Sequence, residues 1–99
     1  MAMLLSFGDK TTEDIFHGMN TRHARSIPQP VWGIASRKLD FINAAGALSD
    51  LASPPGNHLE ALKGDLSGYH SIRINSQYRI IFQWKGLGAA GVRILDYHS

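Results

Sequence analysis

Apolar positions recur with a helical period in the first half of the chain and with a period of two in the second. In "PQPVWGIASRKLDFINAA", Val31, Ile34 or Ala35, Leu39 and Ile42 fall on one face of a helix. Proline is favoured in a first helical turn, so this helix is expected to begin at "PQPVW" and to stop near Gly46. A shorter helix is expected in "DKTTEDIFHGMN", with Thr11 or Thr12 as its cap. Glu13 and Asp14 suit the N-terminal end of its dipole, and Gly18 its end. Ahead of it, "AMLLSF" suits a first strand at a sheet edge. "TRHARSIP" reads as a polar, basic connection, "ALSDLA" as one further turn and "SPPGN" as a loop.

Past that loop "HLEALK", "YHSIRIN", "QYRIIFQW" and "GVRILDY" read as strands separated by turns containing Gly or Asn. Helices followed by consecutive strands imply an α+β fold, an antiparallel sheet covered on one face by the helices. Tyr78, Ile80, Phe82 and Trp84 share one strand face, and Ile72 and Ile74 share another. Both sets must lie on the covered side of the sheet. Ile74 then stands opposite Tyr78 across the turn Asn75-Ser76-Gln77, or an equivalent bulge, and Arg73 stands opposite Arg79 on the other face. Like charges directly opposite destabilise a sheet, so these arginines either splay into water or share an anion.

Ninety-nine residues, 43% of them apolar, suit a single domain over 1–99 with one core. Without cysteine there is no disulfide or thiolate metal site. No apolar run approaches the ~20 residues that cross a bilayer, and "MAMLLSFGDK" lacks a basic leader. A soluble, cytoplasmic chain with no membrane association is expected. The net charge of +2 is small, but its surplus lies in the second half, where Lys63, Arg73, Arg79, Lys85 and Arg93 outnumber Glu60, Asp65 and Asp96. On charge alone this reads as a solvated sheet face; gathered on one face, the same surplus can bind phosphate.

Lys63, Arg73, Arg79, Asp96, Tyr97 and His98 are the candidate functional residues. His17, His23, His58, His70 and His98 include no pair at i, i+4, so no metal and no cofactor is expected. There is no GxSxG, P-loop or GxGxxG, and no serine stands in a recognisable nucleophile context. An enzyme built from these residues takes its nucleophile from substrate or water. RNA carries one, because its 2′-hydroxyl can attack the adjacent phosphate. The protein then needs only to move two protons and neutralise the phosphorane.

"SPPGNHLEALKGDLSGYHSIRINSQYRIIFQW" with the terminal "DYH" resembles the HigB branch of the RelE-like toxins of type II toxin–antitoxin systems, also called plasmid-maintenance killer proteins. "TEDIFHG" and "ASRKLDFINAAGALSDL" extend the resemblance over nearly the whole chain. It implies a RelE-like α+β fold, N-terminal helices on a mainly antiparallel twisted sheet. It also implies a ribosome-dependent mRNA endonuclease that enters the A site, works without a metal and uses the 2′-hydroxyl. A helix-turn-helix (HigA-like) antitoxin is the implied partner, and operator DNA is reached only through it.

Transferred residue by residue, the resemblance puts catalysis on Lys63, Arg79, Asp96, Tyr97 and His98, with Lys63, Arg73 and Arg79 on the RNA backbone. Some relatives carry histidine three residues before the lysine, where this chain has Glu60. Proton removal therefore falls to Asp96, His98 or Glu60, with Asp96 first because a carboxylate is charged at neutral pH and His98 second. The alternative is a non-catalytic binding module of the same fold, such as a gyrase inhibitor or an antitoxin-bound corepressor. Lys63 and the terminal Asp-Tyr-His argue against it.

Overall fold

The computed structural model describes residues 4–97. Its regular elements are α1 (Lys10–Phe16), α2 (Gln29–Ala44), β1 (Glu60–Ala61), β2 (His70–Arg73), β3 (Tyr78–Lys85) and β4 (Gly88–Asp96). The strands form an antiparallel sheet in the order β1-β2-β3-β4. Ile15 of α1 and Ala35, Leu39 and Ile42 of α2 pack with Ile72, Ile80, Phe82 and Val92 of the strands in one buried cluster. This is the expected α+β arrangement. No helix among the described residues is long and apolar enough to cross a membrane.

Asp9, not Thr11 or Thr12, caps α1: its backbone is extended and its Oδ1 accepts the Thr12 amide at 2.8 Å. Both threonines are engaged elsewhere. The Thr11 hydroxyl donates to the His23 carbonyl at 2.9 Å, and Thr12 Oγ1 accepts the Ile94 amide at 2.8 Å. The second bond satisfies a buried β4 donor that would otherwise be orphaned. Gly18 follows the helix at φ +71, as its expected end requires. Helix α2 begins after Pro28 and buries Ala35 while leaving Ile34 exposed, which settles the two alternatives for that face. The helical backbone ends at Ala44, and Ala45 is already extended ahead of Gly46. The next two amides, Gly46 and Ala47, are taken by Asp50 Oδ2 at 3.0 and 3.1 Å, so the chain enters the 3₁₀ turn Leu48–Ala52.

The β2–β3 register is the expected one, with Ile72 opposite Ile80 and Arg73 opposite Arg79. Asn75 Oδ1 sets it by accepting the amides of Gln77 and Tyr78, both at 2.8 Å. Phe82 joins the core and Trp84 packs against it. Strand β4 starts at Gly88, earlier than its sequence pattern suggested. Ala89 and Ala90 carry little strand preference, but the tight turn through Gly86 at φ +60 pairs Lys85 with Gly88. Between Ile81 and Gln83 the ladder bulges, so that Gly91 at φ +61 and Val92 both oppose Phe82. That extra residue resets the alternation, and Ala89 and Val92 are both fully buried.

The segment expected as an edge strand does lie at the edge, parallel to β4, through bridges Leu4–Ala89 and Phe7–Val92. Ala2 and Met3 of that stretch lie outside the described residues. The pairing is broken at the bulge, where the side chain of Ser6 rather than a backbone carbonyl accepts the Gly91 amide at 2.9 Å.

Asp14 ties α1 to the connection that follows it. Its buried carboxylate accepts the Thr21 hydroxyl at 2.6 Å and pairs with Lys10 Nζ at 3.0 Å. The Thr21 hydrogen bond, reinforced by Lys10, holds the Asp14 carboxyl below the usual carboxylate range. A depressed folded pKa stabilises above the unfolded value, and the contribution is lost as pH falls through the folded one. Asp14→Asn is therefore expected to lower Tm at neutral pH and to flatten the acid limb of the Tm–pH curve, measured by circular dichroism. An acid limb as steep as the wild type's would remove Asp14 from this role.

Candidate active site

The site is assembled from the loop that precedes β1. Asn57 is fully buried there, donating from Nδ2 to the carbonyls of Leu51 at 3.1 Å and Ser53 at 3.2 Å. Its Oδ1 accepts Lys38 Nζ from α2. The anchored chain turns through His58 in the left-handed region, φ +48 and ψ +52, and enters β1 at Glu60. The His58 carbonyl accepts Arg79 Nη2 at 2.6 Å, and Glu60 Oε1 lies 3.3 Å from the same nitrogen. From β2 the buried Ser71 Oγ accepts Arg79 Nε at 2.8 Å, and the Tyr97 ring stands 5.6 Å from the guanidinium carbon. The Arg79 side chain is only 12% exposed. A guanidinium held by two neutral oxygens, one carboxylate and an aromatic face is a fixed cation, oriented before any ligand arrives.

The model of the HigB-like, RelE-like toxins of type II toxin–antitoxin systems matches residues 5–98. Toxin HigB-1 of Vibrio cholerae is 48% identical over 97 residues, 98% of this chain and 99% of that protein. An uncharacterised protein of Haemophilus influenzae is 40% identical over 84 residues, 85% of this chain and 81% of its own length. The chain belongs to the HigB-like toxin family.

Of the residues expected to serve this HigB-like toxin, the structure brings Arg79 and Tyr97 into contact. Arg73 and Arg79 splay apart as like charges must. Arg73 donates from Nε to the Asn75 carbonyl at 3.1 Å, while Arg79 turns to Ser71, His58 and Glu60. Glu60 thus gives Arg79 a carboxylate from within the chain. Lys63 sits two residues beyond β1, exposed, with no ion pair or hydrogen bond of its side chain among the described residues. Asp96 is opposite Tyr78 in the ladder, so alternation assigns it to the face of Ile94 rather than that of Arg79. Its Oδ2 accepts Gln77 Nε2 at 3.2 Å. His98 lies outside the described residues.

The sequence reading missed Asn57, Ser71 and the His58 carbonyl. Ser71 was recoverable, since the hairpin register puts it on the same face as Arg73 and Arg79. The other two depend on a loop conformation and had no local signal. Among the described residues no group of three or more His, Cys, Asp or Glu side chains could hold a metal ion.

Asn57→Ala leaves two carbonyls and the Lys38 ammonium without their partner. The change is expected to cost about 1–3 kcal/mol. It should be read as a lower urea midpoint at unchanged slope, with a further loss of activity because His58 is no longer anchored. A midpoint equal to the wild type's would show that the loop holds itself.

Proposed function

We propose that the chain is a ribosome-dependent mRNA endonuclease, a single toxin domain over 1–99 acting in the cytoplasm. We take it to be neutralised by a helix-turn-helix (HigA-like) antitoxin through which alone it meets operator DNA. The observation that carries this reading is the preorganised Arg79 guanidinium on the sheet face away from the helices. Such a cation stabilises charge that develops in a transition state without reorganising.

In the proposed reaction the 2′-oxygen attacks the adjacent phosphorus as its proton passes to a base. The bond from phosphorus to the 5′-oxygen breaks, and that oxygen takes up a proton. The products are a 2′,3′-cyclic phosphate and a 5′-hydroxyl. Arg79 neutralises the phosphorane, and Tyr97 keeps the guanidinium in place. Lys63, unencumbered and exposed, follows the phosphate or protonates the leaving oxygen, and Arg73 binds a neighbouring phosphate. The base comes from Asp96, His98 and Glu60, and the contact with Arg79 favours Glu60. A protein of 10.9 kDa has little surface with which to orient a message, so the ribosome supplies that entropy. The same Glu60–Arg79 contact is what favours the second reading, a non-catalytic binding module in which the arginine is an internal tie.

Arg79→Ala and Lys63→Ala should each relieve the growth arrest caused by expression without the antitoxin, with cleavage falling by about 10²–10³. A message with hydrogen in place of the scissile 2′-hydroxyl should not be cut. Full toxicity in both soluble variants, or cutting of the deoxy message, would transfer weight to the binding module.

A further inference from the structure

The basic side of the sheet continues past Arg79. Arg93 stands opposite Ile81, two residues along β4 from Leu95, the ladder partner of Arg79. Alternation puts its side chain on the face of Arg79. Its stem runs beside the N-terminal edge segment, where a Cβ on Gly8 would lie 3.0 Å from Arg93 Cδ and 2.9 Å from the Gly91 oxygen. The absence of a side chain at Gly8 leaves the room that this stem occupies. Half-buried, Arg93 makes no hydrogen bond or ion pair among the described residues.

Tyr69 lies over Gly91, two residues before Arg93 on β4. It precedes β2 by one residue and shares the face of Ser71. Its hydroxyl comes within 3.7 Å of the place a Gly91 Cβ would take, so the ring reaches across β3 to β4. Continuing the register His70–Phe82 and Ser71–Ile81 by one residue sets Gln83 of β3 opposite Tyr69, on the same face. Arg73, Arg79 and Arg93 on successive strands therefore confront a single carboxylate on β1, Glu60. From β2 to β4 the row of cations spans about 10 Å, at ~4.8 Å per strand. That is longer than one nucleotide. Tyr97 stands against Arg79, and Tyr69 lies over Gly91, two residues before Arg93 on β4, so the face offers rings as well as cations to a strand alternating base and phosphate. An acidic peptide would answer the cations but would bring no base to stack on the rings.

We propose that Arg93 and Tyr69 form a second subsite for single-stranded RNA, with Arg93 on a phosphate and Tyr69 on the base of a messenger nucleotide flanking the scissile one. The proposal rests on the endonuclease reading and extends its substrate across β4.

The test is fluorescence anisotropy at low salt, with a labelled RNA oligonucleotide made uncleavable by one 2′-deoxy position, against the whole protein. Arg93→Gln should weaken binding about tenfold and reduce the slope of log K against log salt by about 0.7. Tyr69→Leu should weaken it about tenfold, while Tyr69→Phe, which keeps the ring, stays near wild type. Thermal melts confirm that each variant is folded. If Arg79→Ala weakens binding but Arg93→Gln changes neither affinity nor slope, the subsite is wrong and the endonuclease site stands. If the wild type binds no oligonucleotide, or Arg79→Ala has no effect, both fail. An Arg93→Gln variant that loses only ribosome or antitoxin affinity also overturns the assignment to the messenger.

Discussion

Asn75 Oδ1 accepts two amides of its own turn, and everything on either side of the sheet depends on that pair of bonds. A strand alternates with a period of two, so a slip of one residue between β2 and β3 would exchange their faces. With β2 in place, Ile80 and Phe82 would turn to water and Arg79 would turn toward the helices. The turn thus determines at once where the core closes and where the cationic face lies. The cost of that register is an arginine facing an arginine. The structure offsets it by giving each guanidinium its own oxygen acceptors.

Those acceptors differ in kind. Glu60 is about half exposed, and an ion pair so open to solvent contributes little to stability. Ser71 is fully buried and the His58 carbonyl is locked by the left-handed turn behind Asn57, so these two hold direction rather than charge. The arrangement is therefore better suited to orienting a cation than to adding stability. A phosphate that displaced the Glu60 carboxylate would meet a guanidinium already in place, without the reorganisation that a free side chain requires.

On the opposite edge, the bulge at Gly91 joins two further parts of the molecule. It lets Ala89 and Val92 both enter the core, and its small residue leaves space over which the Tyr69 hydroxyl lies. The irregular N-terminal segment adapts to it by lending the Ser6 side chain to the Gly91 amide, and Thr12 of α1 satisfies Ile94 just beyond. Edge donors of β4 are thus covered by side chains as well as by backbone.

Periodicity alone determined the α+β order, the buried stripe of α2 and the rung Arg73–Arg79, because each follows from side-chain direction over a few consecutive residues. It did not identify the cap of α1, where the capping oxygen belongs to the last extended residue, Asp9, rather than to the nearest threonine. Nor could it show that Asp96 alternates away from Arg79 or that Glu60 reaches it, since both depend on which residues the ladder sets opposite one another. The decisive acceptor is a backbone carbonyl 21 residues from Arg79. Every residue carries such a carbonyl, so its identity gives no signal. Only the tertiary fold, by burying Asn57 and turning His58, decides where that oxygen points.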